Sequence, residues 1–501
     1  MKKIWFNNTI KVMLIIILGK IFGLIRDALI ASNFGLSIEN DIYTFALGST
    51  MLIISISYGI TNAFIPLYNT MLTSKTKEEN NYFINNLITI ITIIALALVL
   101  FCGIFTKNIV SLLAPTIAKD NYSLQQAIFM FRVMIISIIF IGAQSVLSGV
   151  LQNHNHFTEV ALGPISPNIV NIIYLLIFIN FYGLIGFAVF TIIGFLLMLL
   201  ILVPRYIKLG YKYRPVINLK QEEIKLLFIN VAPIVFSTSL AQINIFILRI
   251  YAGKLPQGGI SSVEYANKIN MLVYEVIGQA IILIVYPKLG KLLNKDTYDG
   301  FNKEVAKGII LILLLTIPAA AALLLLGESV IAVYLMRGNF GYSEVLQTAA
   351  VLKYYMPTII FYGIRDLISR AFFSINKAKT AAINSIICIG LNFLFAPLFL
   401  QVLGAPGLAL GNSLAVTISC LIFYYQLKKE TKLFLEKRLL INVCKIITAT
   451  IIMTTLIYII MAYVSSSLWL ILTSFLLGVP TYFASLYGLK FRDFKELLKI
   501  K

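Results

Sequence analysis

The sequence predicts an all-α polytopic membrane protein of about fourteen transmembrane helices, two parallel-related six-helix lobes followed by two C-terminal helices. Three observations carry that expectation. Hydrophobic residues fill 59% of the 501 positions and charged residues only 12%, against about 45–50% and about 25% in soluble domains. Apolar runs of about 20 residues recur from Val12 to Tyr487, each long enough to cross a hydrocarbon core of about 30 Å. The two halves of the chain also echo one another at a nearly constant spacing.

Glycines, prolines, asparagines and charge clusters divide the runs into spans at roughly 10–32, 41–73, 82–106, 126–151, 159–180, 183–204, 226–250, 264–287, 307–334, 345–370, 380–402, 405–427, 439–464 and 467–489. No connection between them could build a soluble domain, so any chemistry belongs in the membrane or at its surface. The first run follows Lys2, Lys3 and Lys11 and has no small-residue cleavage site, which predicts a retained span and not a signal peptide. Cys102, Cys388, Cys420 and Cys444 lie singly in apolar runs, without metal-ligand spacing, and read as small core residues.

A net charge of +20 might point to nucleic acid, but its distribution points elsewhere. Of 41 Lys and Arg, 28 fall at the termini or in even-numbered connections, and only Lys107, Lys119, Lys254 and Arg337 fall in the opposite loops. That asymmetry follows the positive-inside rule and places both termini in the cytoplasm of a multi-pass inner-membrane protein. No nucleic-acid partner is expected.

In the repeat, Arg26 answers Arg249, Pro66 answers Pro287, LSGVLQNHNHF (147–157) answers ISRAFFSINKAK (368–379), and Gly183-Leu184 answers Gly407-Leu408. These offsets of 221 to 224 join spans of the same parity, which predicts lobes of like orientation with a substrate site where they meet. The expected divisions are 1–215, 216–432 and 433–501.

Nine basic residues remain inside spans: Lys11, Lys20, Arg26, Arg132, Arg249, Lys268, Lys353, Arg365 and Lys445. Lys11 and Lys445 lie near span ends and can snorkel. Each deeper one costs about 2.5–3.5 kcal/mol unless it faces protein or water. On the eighth span Glu264, Lys268, Glu275 and Gln279 share one face at about 100° per residue. The second span carries Asp41, Gly48, Ser55 and Asn62 at seven-residue steps, and on the first span Lys20 shares a face with Asp27. These stripes predict a hydrophilic cavity whose cations, tempered by acids, suit an anionic ligand. Structural pairing remains open: Glu264 could pair with Lys268, and Arg26 with Asp41.

His154 and His156, two residues apart in a turn, suit one metal ion poorly and read as solvated polar residues. No connection carries a phosphate-binding glycine loop, a nucleophile elbow or an acidic cluster, so neither a cofactor nor an enzymatic activity is expected. Pro164, Pro167, Pro233, Pro318, Pro357 and Pro397 lie inside spans, where they either permit bending or merely kink the helices.

Several strings resemble a known family. GKIFGLIRDALIASNFG (19–35), then Asp41 and YGITNAFIPLYN (58–69), are similar to the N-terminal signature of the MurJ/MviN family, within the superfamily that also holds multidrug exporters and O-antigen-type flippases. LPQGGISSVEYANKIN (255–270), SRAFFSINKAKT (369–380) and GAPGLALGNSLA (404–415) continue the likeness to about residue 430. The resemblance implies a two-lobe transporter with a central cationic cavity and a lipid-facing groove along spans 13 and 14. It implies lipid II as ligand, an undecaprenyl chain joined by pyrophosphate to a disaccharide-pentapeptide. Membrane lipids and cell-wall synthesis proteins are the further partners it implies.

Carried over by position, Arg26 matches a cavity arginine and Asp41 a nearby acid, while Lys20 and Lys268 stand where relatives often have arginine. Charge is kept there and bidentate geometry is lost. The expected substrate-binding set is Lys20, Arg26, Asp41, Arg249, Glu264, Lys268 and Glu275. Relatives often carry paired arginines in the second span, whereas Met51 to Ser57 is uncharged here; this leaves room for another lipid-linked oligosaccharide of the capsule or O-antigen type. Some relatives coordinate sodium through acids on spans 7 and 11, and 226–250 and 380–402 contain none. A multidrug or cation antiporter would instead call for a site dominated by acids and aromatics.

Overall fold

The computed structural model describes residues 2–292, 298–432 and 437–491, without the side chains of 2–10, 55–59, 62–63, 229–243, 291 and 437–440. The side chains of Ser55, Asn62 and Pro233, and the whole of Lys295, lie outside the described residues. Among the described residues every regular element is helical. Nine of these helices are long and apolar enough to cross a membrane, and they cover ten of the spans read from sequence. Phe157–Lys208 holds two of those spans, broken at Gly183, whose φ of 52° and ψ of −146° leave the helical region. An all-α polytopic architecture is therefore correct.

By packing, the chain divides into two units, Met1–Ile260 with Arg337–Asn339, and Ser261–Met336 with Phe340–Lys501. The first holds α1 (Lys2–Phe34), α2 (Ile38–Ser74), α3 (Lys77–Ile104), α4 (Thr106–Leu113), α5 (Asn121–Ile135), α6 (Ser137–Asn153), α7 (Phe157–Leu162), α8 (Ile165–Ile173), α9 (Ile179–Leu200), α10 (Val203–Lys208) and α11 (Glu222–Ala252). Local chemistry sets several starts. Ser37 caps α2 through Asn40 N, and Thr76 and Glu79 form a reciprocal capping box at α3. Phe64, Tyr68, Phe83, Val150, Tyr206 and Tyr211 build an aromatic-rich core at one end of this unit. The segment before α11 is irregular, so its backbone groups need other partners. Asparagines of α3 supply them: Asn86 Nδ2 donates to Asn218 O at 2.8 Å, Asn218 N donates back to Asn86 Oδ1 at 2.8 Å, and Asn85 Nδ2 donates to Lys212 O at 3.0 Å.

The second unit holds most of α12 (Gly259–Val273), then α13 (Gln279–Lys291), α14 (Asp299–Leu335), α15 (Tyr342–Tyr354), α16 (Met356–Ser374), α17 (Ala378–Leu403), α18 (Ala405–Thr431), α19 (Lys437–Tyr463) and α20 (Ser467–Gly488). A π-helical turn, Tyr274–Gly278, joins α12 to α13. The α19–α20 hairpin packs on α14, where the Tyr482 hydroxyl donates to Leu314 O at 2.7 Å. The prolines behave differently. Pro357 sits in the first turn of α16, just after the break at Tyr355, whereas Pro318 and Pro397 lie within α14 and α17.

The backbone carries the sequence repeat at one register. Ile38 and Gly259, Asn121 and Tyr342, and Phe157 and Ala378 open helices and are each 221 residues apart. Left-handed residues recur at the same spacing: Asn155 with Asn376 (φ 62° and 58°) and Gly183 with Gly404 (φ 52° and 64°). Pro66 and Pro287 fit this register. Gly183 therefore answers Gly404, not Gly407. Arg26 falls opposite Ile247, so Arg26 and Arg249 are not equivalent positions; two residues turn a helix by about 200°.

Candidate functional site

The first span is built to be approached closely. A Cβ on Gly19 would lie 3.2 Å from Ile165 Cγ1, and one on Gly23 would lie 3.8 Å from Asn168 Nδ2. These two glycines let α8 pack against α1. Asn168, one turn into α8, meets Arg26 there. Arg26 Nη1 donates to Asn168 Oδ1 at 2.8 Å, while Nη2 and Nε donate to Asp27 Oδ1 at 2.8 and 3.1 Å. The guanidinium is 19% exposed and the carboxylate 6%, so each largely compensates the other's burial. Arg26 thus pairs with its sequence neighbour Asp27.

Toward the start of α1 the two helices part. Val12, Ile15, Ile16, Gly19 and Lys20 of α1 and Phe157, Val160, Ala161, Pro164, Ile165 and Asn168 of α7–α8 line a groove of about 500 Å³, with Gln152 also in its lining. The spacing on both walls is helical, so each presents one face. The lining is apolar apart from Lys20, Gln152 and Asn168.

Asp41 is only 2% exposed and accepts a hydrogen bond from Gly258 N at 2.7 Å. Gly258 has a φ of 81°, and a Cβ there would lie 2.7 Å from Leu36 O, so the turn requires glycine. Asp41 therefore braces this turn. Arg249 of α11 packs against Gly48 of α2, where any Cβ would overlap the guanidinium. The small residue in the α2 stripe makes room for a cation.

On α12, Glu264 and Lys268 are half-buried, and the Lys268 ammonium stands 5.5 Å from the Tyr265 ring centroid, within cation–π range. Glu275 is exposed and lies in the π-turn. A π-turn changes the helical phase, so the expected single stripe from Glu264 to Gln279 changes phase across Tyr274–Gly278.

Other intramembrane cations have plain structural partners. Lys353 Nζ lies 3.1 Å from Glu328 Oε1, Arg132 Nε donates to Gly103 O at 3.0 Å, and Lys445 Nζ donates to Lys490 O at 3.0 Å. Arg365 differs. Half-buried on α16, it donates to the hydroxyls of Ser419 at 3.0 Å and Ser385 at 3.4 Å.

Sequence reasoning missed Asn168, and its only signal was an amide inside an apolar run. It also misread His154, which is half-buried: Nε2 lies 3.1 Å from the Tyr211 hydroxyl, which bonds Tyr68 at 2.8 Å. Burial, then His156 and Lys77, push the His154 imidazole below the ordinary histidine value.

The profile of the family described as lipid II flippase MurJ matches residues 30–479. The chain belongs to the MurJ family. A probable lipid II flippase MurJ of Buchnera aphidicola is 27% identical over 462 residues, covering 91% of this chain and 90% of that one. Its counterpart from Rickettsia prowazekii is 24% identical and spans 99% of both chains. A lipid II flippase MurJ solved in an inward closed conformation superposes with a TM-score of 0.82 at 27% identity, over 97% of this chain and 99% of that one. An inward-facing multidrug transporter of the MATE family shares the fold, with a TM-score of 0.68 at 15% identity over 84% and 98% of the two chains. The α1 string that resembles the family, 19–35, holds the glycine pair, Lys20, Arg26 and Asp27, and the matched residues begin at 30.

Proposed function

We propose that this MurJ-family chain moves lipid II from the cytoplasmic to the outer leaflet of the bacterial inner membrane by alternating access. The observation that carries the reading is the family match over residues 30–479. The α1–α8 geometry supports where the charged group sits. Arg26 is already desolvated and fixed by Asp27 and Asn168, so an arriving pyrophosphate meets a donor that needs little ordering. Lys20, on the groove wall, adds an ammonium. Arg249, Lys268, Glu264 and Glu275 are proposed as further contacts of the polar cavity, with Asp41 acting through the Gly258 turn.

No bond is made or broken. The moving parts are the repeat lobes 1–215 and 216–432, with 433–501 flanking them. An inside-negative potential favours outward movement of the anionic headgroup by about 2.3 kcal/mol per charge per 100 mV. The charge asymmetry supports cytoplasmic termini; single cysteines at Gly258 and Lys212 should then label from opposite sides of intact cells. The uncharged stretch Met51 to Ser57 favours testing a second substrate, another undecaprenyl-linked oligosaccharide.

The test is reconstitution in proteoliposomes, with both lipids presented at a set membrane potential. Lipid II should cross, faster with the anion-driving potential and undiminished when potassium replaces sodium. Exclusive movement of the capsule-type lipid would replace the substrate, and strict sodium dependence would reveal a cation site.

A further inference from the structure

The groove between α1 and α7–α8 is lined by apolar residues apart from Lys20, Gln152 and Asn168, and nothing in a headgroup-only account uses its apolar part. Its α1 wall runs from Val12 to Lys20, a rise of about 12 Å. Its volume, about 500 Å³, lies in the range of small-molecule sites, about 300–1,000 Å³. The walls are stiff: Ile15, Ile16, Val160, Pro164 and Ile165, with Phe157 also in the lining. Lys20 and Asn168 line the groove together with the closely approaching Gly19 and Ile165, and Asn168 accepts a hydrogen bond from Arg26.

An occupant must therefore be an amphiphile with a multiply charged anionic group next to a short, branched apolar stem. A pyrophosphate offers Lys20, the cation in the lining, a multiply charged partner, and the first isoprene units fit beside it. A phospholipid offers a single phosphodiester, separated from its acyl chains by polar glycerol ester groups. We infer that the groove between α1 and α7–α8 holds the pyrophosphate-proximal isoprene units of the polyprenyl chain. This rests on the lipid-pyrophosphate reading above. It makes the first span a reader of the lipid as well as of its charge, while the remainder of the tail stays in the bilayer.

The test uses the full-length protein in detergent and two probes: undecaprenyl pyrophosphate, and the soluble UDP-N-acetylmuramoyl-pentapeptide, which has the pyrophosphate without the prenyl chain. Ala161→Phe fills the groove, Phe157→Ala widens it, and Lys20→Gln removes the cation. Membrane abundance and thermal unfolding confirm that each variant folds. Ala161→Phe should weaken binding of undecaprenyl pyrophosphate about tenfold and leave the soluble probe unchanged, Phe157→Ala should weaken the prenyl probe alone by a smaller factor, and Lys20→Gln should weaken both. Wild-type affinity for the prenyl probe in folded Ala161→Phe and Phe157→Ala would overturn the groove assignment and leave the proposed function standing. Equal competition by phosphatidylglycerol would also overturn it, because the groove would then be a general lipid site. If Lys20→Gln changes neither probe while Ala161→Phe still weakens the prenyl one, the pyrophosphate placement fails and the groove assignment survives.

Discussion

Arg26 and Arg365 are both guanidinium groups inside apolar helical units, and they are accommodated in opposite ways. Arg26 shares a buried carboxylate, Asp27, and one amide, Asn168. Around Arg365 the partners are neutral, Ser419 and Ser385, and among the described residues no carboxylate lies within ion-pair distance. Those hydroxyls also have partners of their own: Ser419 donates to Asn384 Oδ1 at 2.8 Å and Ser385 to Ala381 O at 3.1 Å. The difference teaches which charge the fold depends on. Deleting Arg26 takes a guanidinium from a buried carboxylate; deleting Arg365 takes one from hydroxyls that keep other partners.

The largest expected effect follows from that asymmetry. Arg26→Met removes the guanidinium that pairs with the buried Asp27 carboxylate and should cost about 3–5 kcal/mol of stability, read as lower membrane abundance and earlier thermal unfolding. Arg26→Met with Asp27→Leu should recover abundance without transport. Arg365→Met should stay within about 1 kcal/mol of wild type, since each serine keeps a hydrogen bond. Equal destabilisation by the two single variants would break the comparison.

Asn168→Leu sharpens it. Losing one neutral bond to a charged group should cost about 1.5–3 kcal/mol at most, yet it frees the guanidinium from its fixed position. Transport should fall several-fold while abundance falls little, measured by flipping per molecule in proteoliposomes.

Gly48→Ala is expected to be milder for the fold, because the new Cβ meets the flexible end of Arg249 and not backbone. Normal abundance with reduced transport would place Arg249 in the site, whereas normal transport would remove it.

Much of the first span was legible. Lys20, Arg26 and Asp27 stand in one short string and the apolar runs announce the membrane, but the sequence did not show that Arg26 pairs with Asp27 or that Gly19 and Gly23 admit α8. What was not legible depended on distant packing or on backbone phase. Asn168 matters only because α8 lands beside Arg26, 142 residues away. Nor can sequence place Gly258 N against Asp41. The polar stripe on the eighth span assumed a constant 100° step, which the π-turn at Tyr274–Gly278 interrupts. The repeat was visible, but its register was not, since matching charges drew Arg26 to Arg249 where the left-handed Asn155–Asn376 and Gly183–Gly404 pairs set 221 residues.

The smallest effect concerns His154, far from either arginine in the sequence. Its folded imidazole titrates below the ordinary value of 6.5 because it is buried beside Tyr211, Tyr68, His156 and Lys77. Between the two values the unfolded chain binds more protons, so the stability of this contact is fully present above the unfolded value. It is lost as pH falls through that value toward the folded one. Thermal unfolding of wild type should fall over that window relative to His154→Gln, which should show a flatter pH profile there; parallel profiles would remove the contact's role.

The central claim is tested most directly in a bacterial strain conditionally depleted of its lipid II flippase, with membrane abundance and accumulated lipid II measured together. Expression of this chain should restore growth and relieve the accumulation. The variant carrying both Arg26→Met and Asp27→Leu, at comparable abundance, should do neither. Wild-type protein that reaches normal abundance and leaves lipid II accumulating would contradict the account.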